Sequence, residues 1–299
     1  MKGMGLILLA SLLWACDTLI RYPLLFKGVS ASSIVFIEHI FLVAIFVPFM
    51  AKNYKKIWAT QISHLLYFAI IGGLGSAVAT LSFTKAFFII NPSLVILLQK
   101  LQPIVAILLA RVFLKEPLRR HFLGWAFLCL IGGLLISHNE IFPGLQKLGL
   151  SSDLLANKNL KGYLLTLVAV VSWGSATVFG KKLGSAGYSE KQMMSGRFTM
   201  GLAFLLPMFL AGDVSLDLPA QQYGKIGVMV LMSGLAAMYL YYRGLKLVPA
   251  RMATLAEMFF PLFAIFLNWI FLDAKLDLLQ LIGGLLLIIG STVVQVKRY

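Results

Sequence analysis

Few side chains in this sequence can do chemistry, and the informative ones stand inside long apolar runs. They are Asp17, Glu38, His39, Lys85, Gln99, Lys100, Arg197, Tyr241, Arg243 and Glu257. An ionisable group inside an apolar segment is costly, so it normally faces a bundle interior or a watery cavity and marks a path for ions or substrates. Asp17 lies one helical turn from Trp14 and one turn from Arg21, all on one face. Such a carboxylate can carry a coupling proton, hold a substrate ammonium, or pair with Arg21. Glu38-His39 can relay a proton or anchor a cation. It can equally be structural, with Glu38 paired to Lys85 or Lys100 and His39 bonded to a backbone carbonyl. Adjacent helical residues point in different directions, so both lining one site is not expected.

Gln99 and Glu257 each stand four residues before a proline, Pro103 and Pro261. A proline inside a helix frees a backbone carbonyl and can kink the chain. A polar acceptor one turn before such a kink, twice in one chain, is the best pointer to a binding cavity. Satisfying the freed backbone is the plainer role for the same residues. Arg197 can meet either a substrate carboxylate or a structural partner such as Glu257. Lys85 and Arg243 suit anion capture at two mouths, or snorkelling to an interface. Trp14, Trp173 and Tyr241 can wall a pocket for a flat or apolar solute.

The elements that must position these residues follow from composition. The chain has 299 residues, of which 60% are hydrophobic and 12% charged, with a mean hydropathy of +0.91. Soluble domains carry about 25% charged residues and could not bury this much apolar side chain. Disorder is excluded by the same numbers. Helices are predicted at about 3–22, 31–51, 64–88, 92–113, 121–138, 162–183, 191–211, 224–246, 249–271 and 278–296. Cys16 and Cys129 lie in apolar runs with no metal spacing. No nucleophile elbow, phosphate loop or metalloprotease motif is present, so neither an enzyme, a metal nor a cofactor is expected.

The two halves repeat. Trp14/Trp173 and Pro48/Pro207 match at an offset of 159, and Lys85/Arg243 and Pro103/Pro261 at 158. The predicted units are 1–138 and 162–299, joined by the polar loop 139–161. Five helices is an odd number, so the second unit enters the membrane in the opposite sense. Inverted repeats of this kind place a substrate site near the midplane. The formal charge of +15 is mainly topological. Fifteen of the 26 Lys and Arg fall in loops and termini on the side of the N-terminus, seven on the other side and four within helices. Both termini are therefore predicted to be cytoplasmic, in an inner (plasma) membrane protein with no nucleic-acid partner. The four cations within helices, Lys85, Lys100, Arg111 and Arg197, outnumber the three acids Asp17, Glu38 and Glu257, which predicts a net positive cavity and carboxylate- or phosphate-bearing solutes.

The chain resembles the EamA type of the drug/metabolite transporter superfamily over nearly its whole length. The marks are Trp173-Gly174-Ser175 with Lys181 following, Arg197-Phe198, and proline-centred helices closing on Leu114-Lys115-Glu116-Pro117-Leu118 and Leu272-Asp273-Ala274-Lys275-Leu276. Glycine-rich last helices complete the pattern. The first half departs from it at Trp14-Ala15-Cys16-Asp17 and at Glu38-His39, and Ala274 stands where the first half has Glu116. The resemblance implies an all-α protein of ten transmembrane helices in a 5+5 inverted repeat, acting as a monomer or homodimer. It implies secondary transport by alternating access, often export, of amino acids, other metabolites or drugs. A proton or counter-substrate would be the coupling partner. Exchange of an anionic, phosphorylated or nucleotide-like metabolite is the rival transport reading. A non-transporting receptor or structural subunit is the rival of another class.

Overall fold

The computed structural model describes residues 2–55, 60–87, 89–90, 95, 98–99, 101–118, 120–136, 138, 157–272 and 277–297. Lys100, the Asn91-Pro92 break and most of the predicted loop 139–161 lie outside the described residues. So do the side chain of Pro261 and residues 273–276.

Among the described residues all regular structure is helical, joined by short turns and links. In order the helices are α1 (Lys2–Phe26), α2 (Ala31–Lys52), α3 (Ile62–Ala86), α4 (Gln102–Phe113), α5 (Arg120–Ile136) and α6 (Asn157–Ser185). They continue as α7 (Glu190–Leu210), α8 (Ala220–Leu247), α9 (Ala250–Glu257), α10 (Phe259–Leu272) and α11 (Leu278–Lys297). Six of them, α1, α2, α3, α6, α7 and α8, are long and apolar enough to cross a membrane. The sequence predicts ten full spans. The difference is largest at the two prolines. The predicted ninth span is divided at Met258, and α4 begins only at Gln102 after a turn at Leu101. Pro103 thus sits in the first turn of α4, and Pro261 lies in the first turn of α10. Proline lacks the N–H for the preceding turn but is well suited to a helix start, so the break falls just before it.

Two corners share one construction at the offset of 159. Gly28 (φ +83°) and Gly187 (φ +90°) take left-handed conformations past the ends of α1 and α6. Val29 N–H donates to Leu24 O and Tyr188 N–H to Leu183 O, each at 3.2 Å, closing the helix ends. The next serines, Ser30 and Ser189, cap α2 and α7. Both α3 and α8 are interrupted by wider π-type turns, at Ala69–Val78 and Val230–Ala237. Such widening is uncommon and often found at functional sites. The widened part of α3 packs on α6 and α7, and that of α8 on α1 and α2.

Close approach is made possible by missing side chains. A Cβ on Gly132 would lie 2.7 Å from Gly283 O, and one on Gly283 2.7 Å from Gly132 O, so α5 and α11 cross backbone to backbone. In lipid, tight packing rather than hydrophobic burial holds helices together. Gly132→Ala is therefore expected to destabilise the protein by about 1–3 kcal/mol, read as a lowered thermal midpoint in detergent. Outward residues such as Val112, Phe127, Leu210, Leu231 and Phe271 are apolar and exposed, as a lipid-facing surface requires.

Candidate functional site

Glu257 ends α9 at the break before α10, and three uncharged side chains from three other helices converge on it. Gln102 Nε2 on α4 donates to Oε2 at 3.2 Å. The Tyr241 hydroxyl on α8 lies 3.0 Å from Oε1, and the Thr177 hydroxyl on α6 lies 3.3 Å from the same oxygen. Tyr241 and Thr177 are themselves 3.0 Å apart. A carboxylate with acceptor capacity on both oxygens is satisfied by such donors without a direct cation. Gln99, Pro103, Thr254, Met258 and Phe260 join Gln102 and Glu257 around a cavity of about 50 Å³. The Thr254 hydroxyl, wholly buried, has no hydrogen-bond partner among the described residues. The structure thus brings together Gln99, Glu257 and Tyr241, three of the residues singled out by the sequence.

An aromatic wall stands beside the carboxylate. The Trp14 ring on α1 is 5.4 Å from Tyr241, and the Tyr241 ring is 5.5 Å from Tyr242. Tyr242 in turn accepts from Arg197 Nη1 at 3.1 Å, while Arg197 Nη2 donates to Gly75 O on the widened part of α3 at 3.2 Å. Arg197 is therefore anchored by neutral oxygens, not paired directly with Glu257, although its charge is felt there. Trp173 lies further along α6 against Phe83, ring centres 5.1 Å apart.

The other singled-out residues lie elsewhere. Asp17 and Glu38 are both held by Arg21. Arg21 Nε is 2.6 Å from Asp17 Oδ2, and Arg21 Nη2 is 2.7 Å from Glu38 Oε1. The Ser233 hydroxyl on the widened part of α8 adds a bond to Asp17 at 2.6 Å. Glu38 therefore pairs with Arg21, where Lys85 or Lys100 was the expected partner. Arg21 is an intrahelical ion-pair residue, not the loop cation that the charge count assumes. The reason is geometric: α1 continues to Phe26, so Arg21 stays in register with Asp17. His39 is turned away, with Nδ1 2.7 Å from Val35 O and Nε2 3.1 Å from the Ser76 hydroxyl. Lys85, in the last turn of α3, and Arg243, just before the last turn of α8, are exposed, and Lys85 borders a separate cavity of about 380 Å³ with Ser30, Ser32 and Thr84. Among the described residues, the Glu257 cluster holds one carboxylate and one guanidinium, where the charge count predicts a positive excess.

Comparison with known proteins agrees with this architecture. The EamA-like transporter family model matches residues 1–138 and 160–296. The chain belongs to the EamA-like transporter family. It is similar to the riboflavin transporter ImpX of Fusobacterium nucleatum subsp. nucleatum, 34% identical over 295 residues, which cover 97% of this chain and 96% of that protein. A solved crystal structure superimposes with a TM-score of 0.68 at 16% identity, over 97% of this chain and 96% of the other, a likeness of fold. As an EamA-like protein the chain is a multi-pass membrane transporter of a small molecule and not an enzyme.

Sequence reasoning passes over Gln102, Thr177 and Ser233, and it offers Arg21 as a partner for Asp17 but not for Glu38. Signals for some of them exist. Arg21 follows Asp17 by four residues, Thr177 follows Trp173 by four, and Gln102 adjoins Pro103. Nothing in the sequence says that Thr177 and Gln102 share a partner, Glu257, 80 and 155 positions away.

Proposed function

We propose that this chain is a secondary transporter that moves a flat, neutral heteroaromatic metabolite of the riboflavin class by alternating access, with the Glu257 cluster as its binding centre. The observation that carries the reading is the aromatic wall of Trp14, Tyr241 and Tyr242 set beside Glu257 with its amide and hydroxyl neighbours. A flavin offers a planar ring for the wall, an imide N–H for the carboxylate, and hydroxyls and carbonyls for Gln99, Gln102 and Thr254. The similarity to a riboflavin transporter over 97% of the chain supports the substrate class. Pockets for such solutes are about 300–1,000 Å³, so a cavity of about 50 Å³ requires the helices around it to separate during the cycle.

The reading includes an inverted repeat of units 1–138 and 162–299, ten membrane crossings counting the broken fourth and ninth, and both termini on the cytoplasmic side of the inner membrane. The matched corners at Gly28 and Gly187 and the matched wide turns in α3 and α8 support the repeat. Glu257 is the favoured residue for proton coupling, because Asp17 and Glu38 already share an ion pair with Arg21 while Glu257 has no direct cation among the described residues.

Purified protein in liposomes is expected to show saturable flavin flux that flavin analogues inhibit and free ribose does not. Absence of flavin binding, with an amino acid moved instead, would overturn the substrate class. Flux with and without a pH gradient, in vesicles loaded inside or outside, reads coupling and direction. Exchange of an anionic metabolite is the second reading, favoured by the anchored Arg197 guanidinium facing Tyr242. It predicts uptake accelerated by the same anion on the far side and insensitive to the pH gradient.

A further inference from the structure

The corner between α8 and α9 is gripped by charge from both sides. Lys181 on α6 donates from Nζ to the carbonyls of Leu245 and Lys246, both at 2.9 Å. These belong to the last turn of α8, where carbonyls have no partner along the helix. A few residues later Glu116 accepts from the backbone N–H groups of Ala250 at 2.7 Å and Arg251 at 3.2 Å. These are the opening amides of α9, and Arg251 Nη1 stands 3.7 Å from the same carboxylate. An ammonium on the carbonyl end of one helix and a carboxylate on the amide end of the next both oppose the local dipoles, and charge-assisted bonds of this kind are the strong ones. Lys246 of the corner adds a pair with Glu190 at the start of α7, at 3.2 Å.

The two gripping residues come from outside the corner. Glu116 follows α4 and is aimed by Lys115, which takes a left-handed conformation (φ +55°) uncommon for a residue with a side chain. Val248 and Pro249 give the corner itself an extended backbone, so α8 and α9 are joined by a short non-helical link. The corner leads directly into α9, whose Thr254 and Glu257 line the small cavity. It lies at the end of the bundle where the chain begins, since Gly3 meets Gly244, Leu247 and Val248. The same clamp has no counterpart in sequence at the other end, because Ala274 stands 158 residues after Glu116. That end is held by Asp17, Arg21, Glu38 and Ser233, side chain to side chain.

We propose that Glu116 and Lys181 are the latch of the gate at the end where the chain begins, and that release of the α8–α9 corner from them opens the Glu257 cavity to that side. The proposal rests on the alternating-access reading. Because both bonds are made to backbone, the latch holds whatever side chains the corner carries, and a rigid shift of α9 breaks both Glu116 bonds together.

The test reads access directly, without a substrate. In a Cys16→Ala, Cys129→Ala background, Thr254→Cys reports on the cavity and Ser82→Cys, buried near the far end of α3, reports on the opposite end. Labelling by a membrane-impermeant maleimide is followed in right-side-out and inside-out vesicles. Glu116→Gln and Lys181→Met are each expected to speed labelling at position 254 about tenfold from one side only, the factor for losing one charged helix-end contact. Labelling at position 82 should not change, and Glu116→Asp should keep most of the protection. Unchanged labelling at position 254 in both variants, or equal acceleration at both reporters, would overturn the latch. Flux measured on vesicles of the unsubstituted chain, with Thr254 in place, separates the two ideas. Absent flavin flux with a labelling response removes the substrate reading and leaves the latch, while normal flux with silent labelling removes the latch.

Discussion

Glu257→Gln is expected to lower flavin flux by about 10- to 100-fold while leaving the protein folded. The factor follows from hydrogen bonds to charged groups, worth about 1.5–3 kcal/mol each. Glutamine has the shape of glutamate, and the site can adapt to it. The new side-chain oxygen can still accept from Tyr241 and Thr177, and its amide can donate to Gln102 once that amide rotates. The substitution therefore removes the charge and little else. Glu257→Leu behaves differently, because it leaves the amide of Gln102 without its acceptor and leaves the Tyr241 and Thr177 hydroxyls only each other and the carbonyl of Trp173. Unsatisfied buried groups cost about 1–3 kcal/mol each, so that variant should also lose thermal stability. Paired measurements decide the role. Lost flux with an unchanged melting curve in Glu257→Gln marks Glu257 as a substrate or coupling group, and unimpaired flux would remove it from the mechanism.

Arg21→Ala should be the most damaging single change to stability. It leaves Asp17 and Glu38, both nearly buried, without their shared cation. Breaking a buried pair from one side costs about 3–5 kcal/mol. Arg21 is about a quarter exposed, which places the expected loss near the lower end of that range. Arg21→Lys should be intermediate, because an ammonium lacks the fork that spans two carboxylates. The rescue is specific: adding Asp17→Asn and Glu38→Gln to Arg21→Ala should restore most of the lost thermal midpoint in detergent. If the triple variant melts no higher than Arg21→Ala, the cluster is not what holds α1 to α2.

Much of this protein is readable in one dimension. Residue composition is a bulk property, so a lipid solvent follows from 60% hydrophobic and 12% charged residues without any coordinates. Helices follow from the need to satisfy every backbone group internally in lipid. The prolines at 103 and 261 mark the breaks because proline lacks an N–H wherever it stands, and the breaks at Leu101 and Met258 fall beside them. The importance of Gln99 and Glu257 comes from the same local rule, and both border the small cavity.

Pairing was decided only by the tertiary structure. A charge in an apolar run announces that it has a partner, but not which one. Arg21, four residues from Asp17, also claimed Glu38 across the α1–α2 corner, and Arg197 settled on Tyr242 and Gly75. The wide turns in α3 and α8 shift side chains out of the 3.6-residue register on which any prediction of facing residues depends. The local patterns around Thr177, Gln102 and Glu116 do not name their partners, since each acts on an atom 80 or more residues away. Local chemistry is written along the chain, whereas contacts between distant segments exist only once the helices have packed.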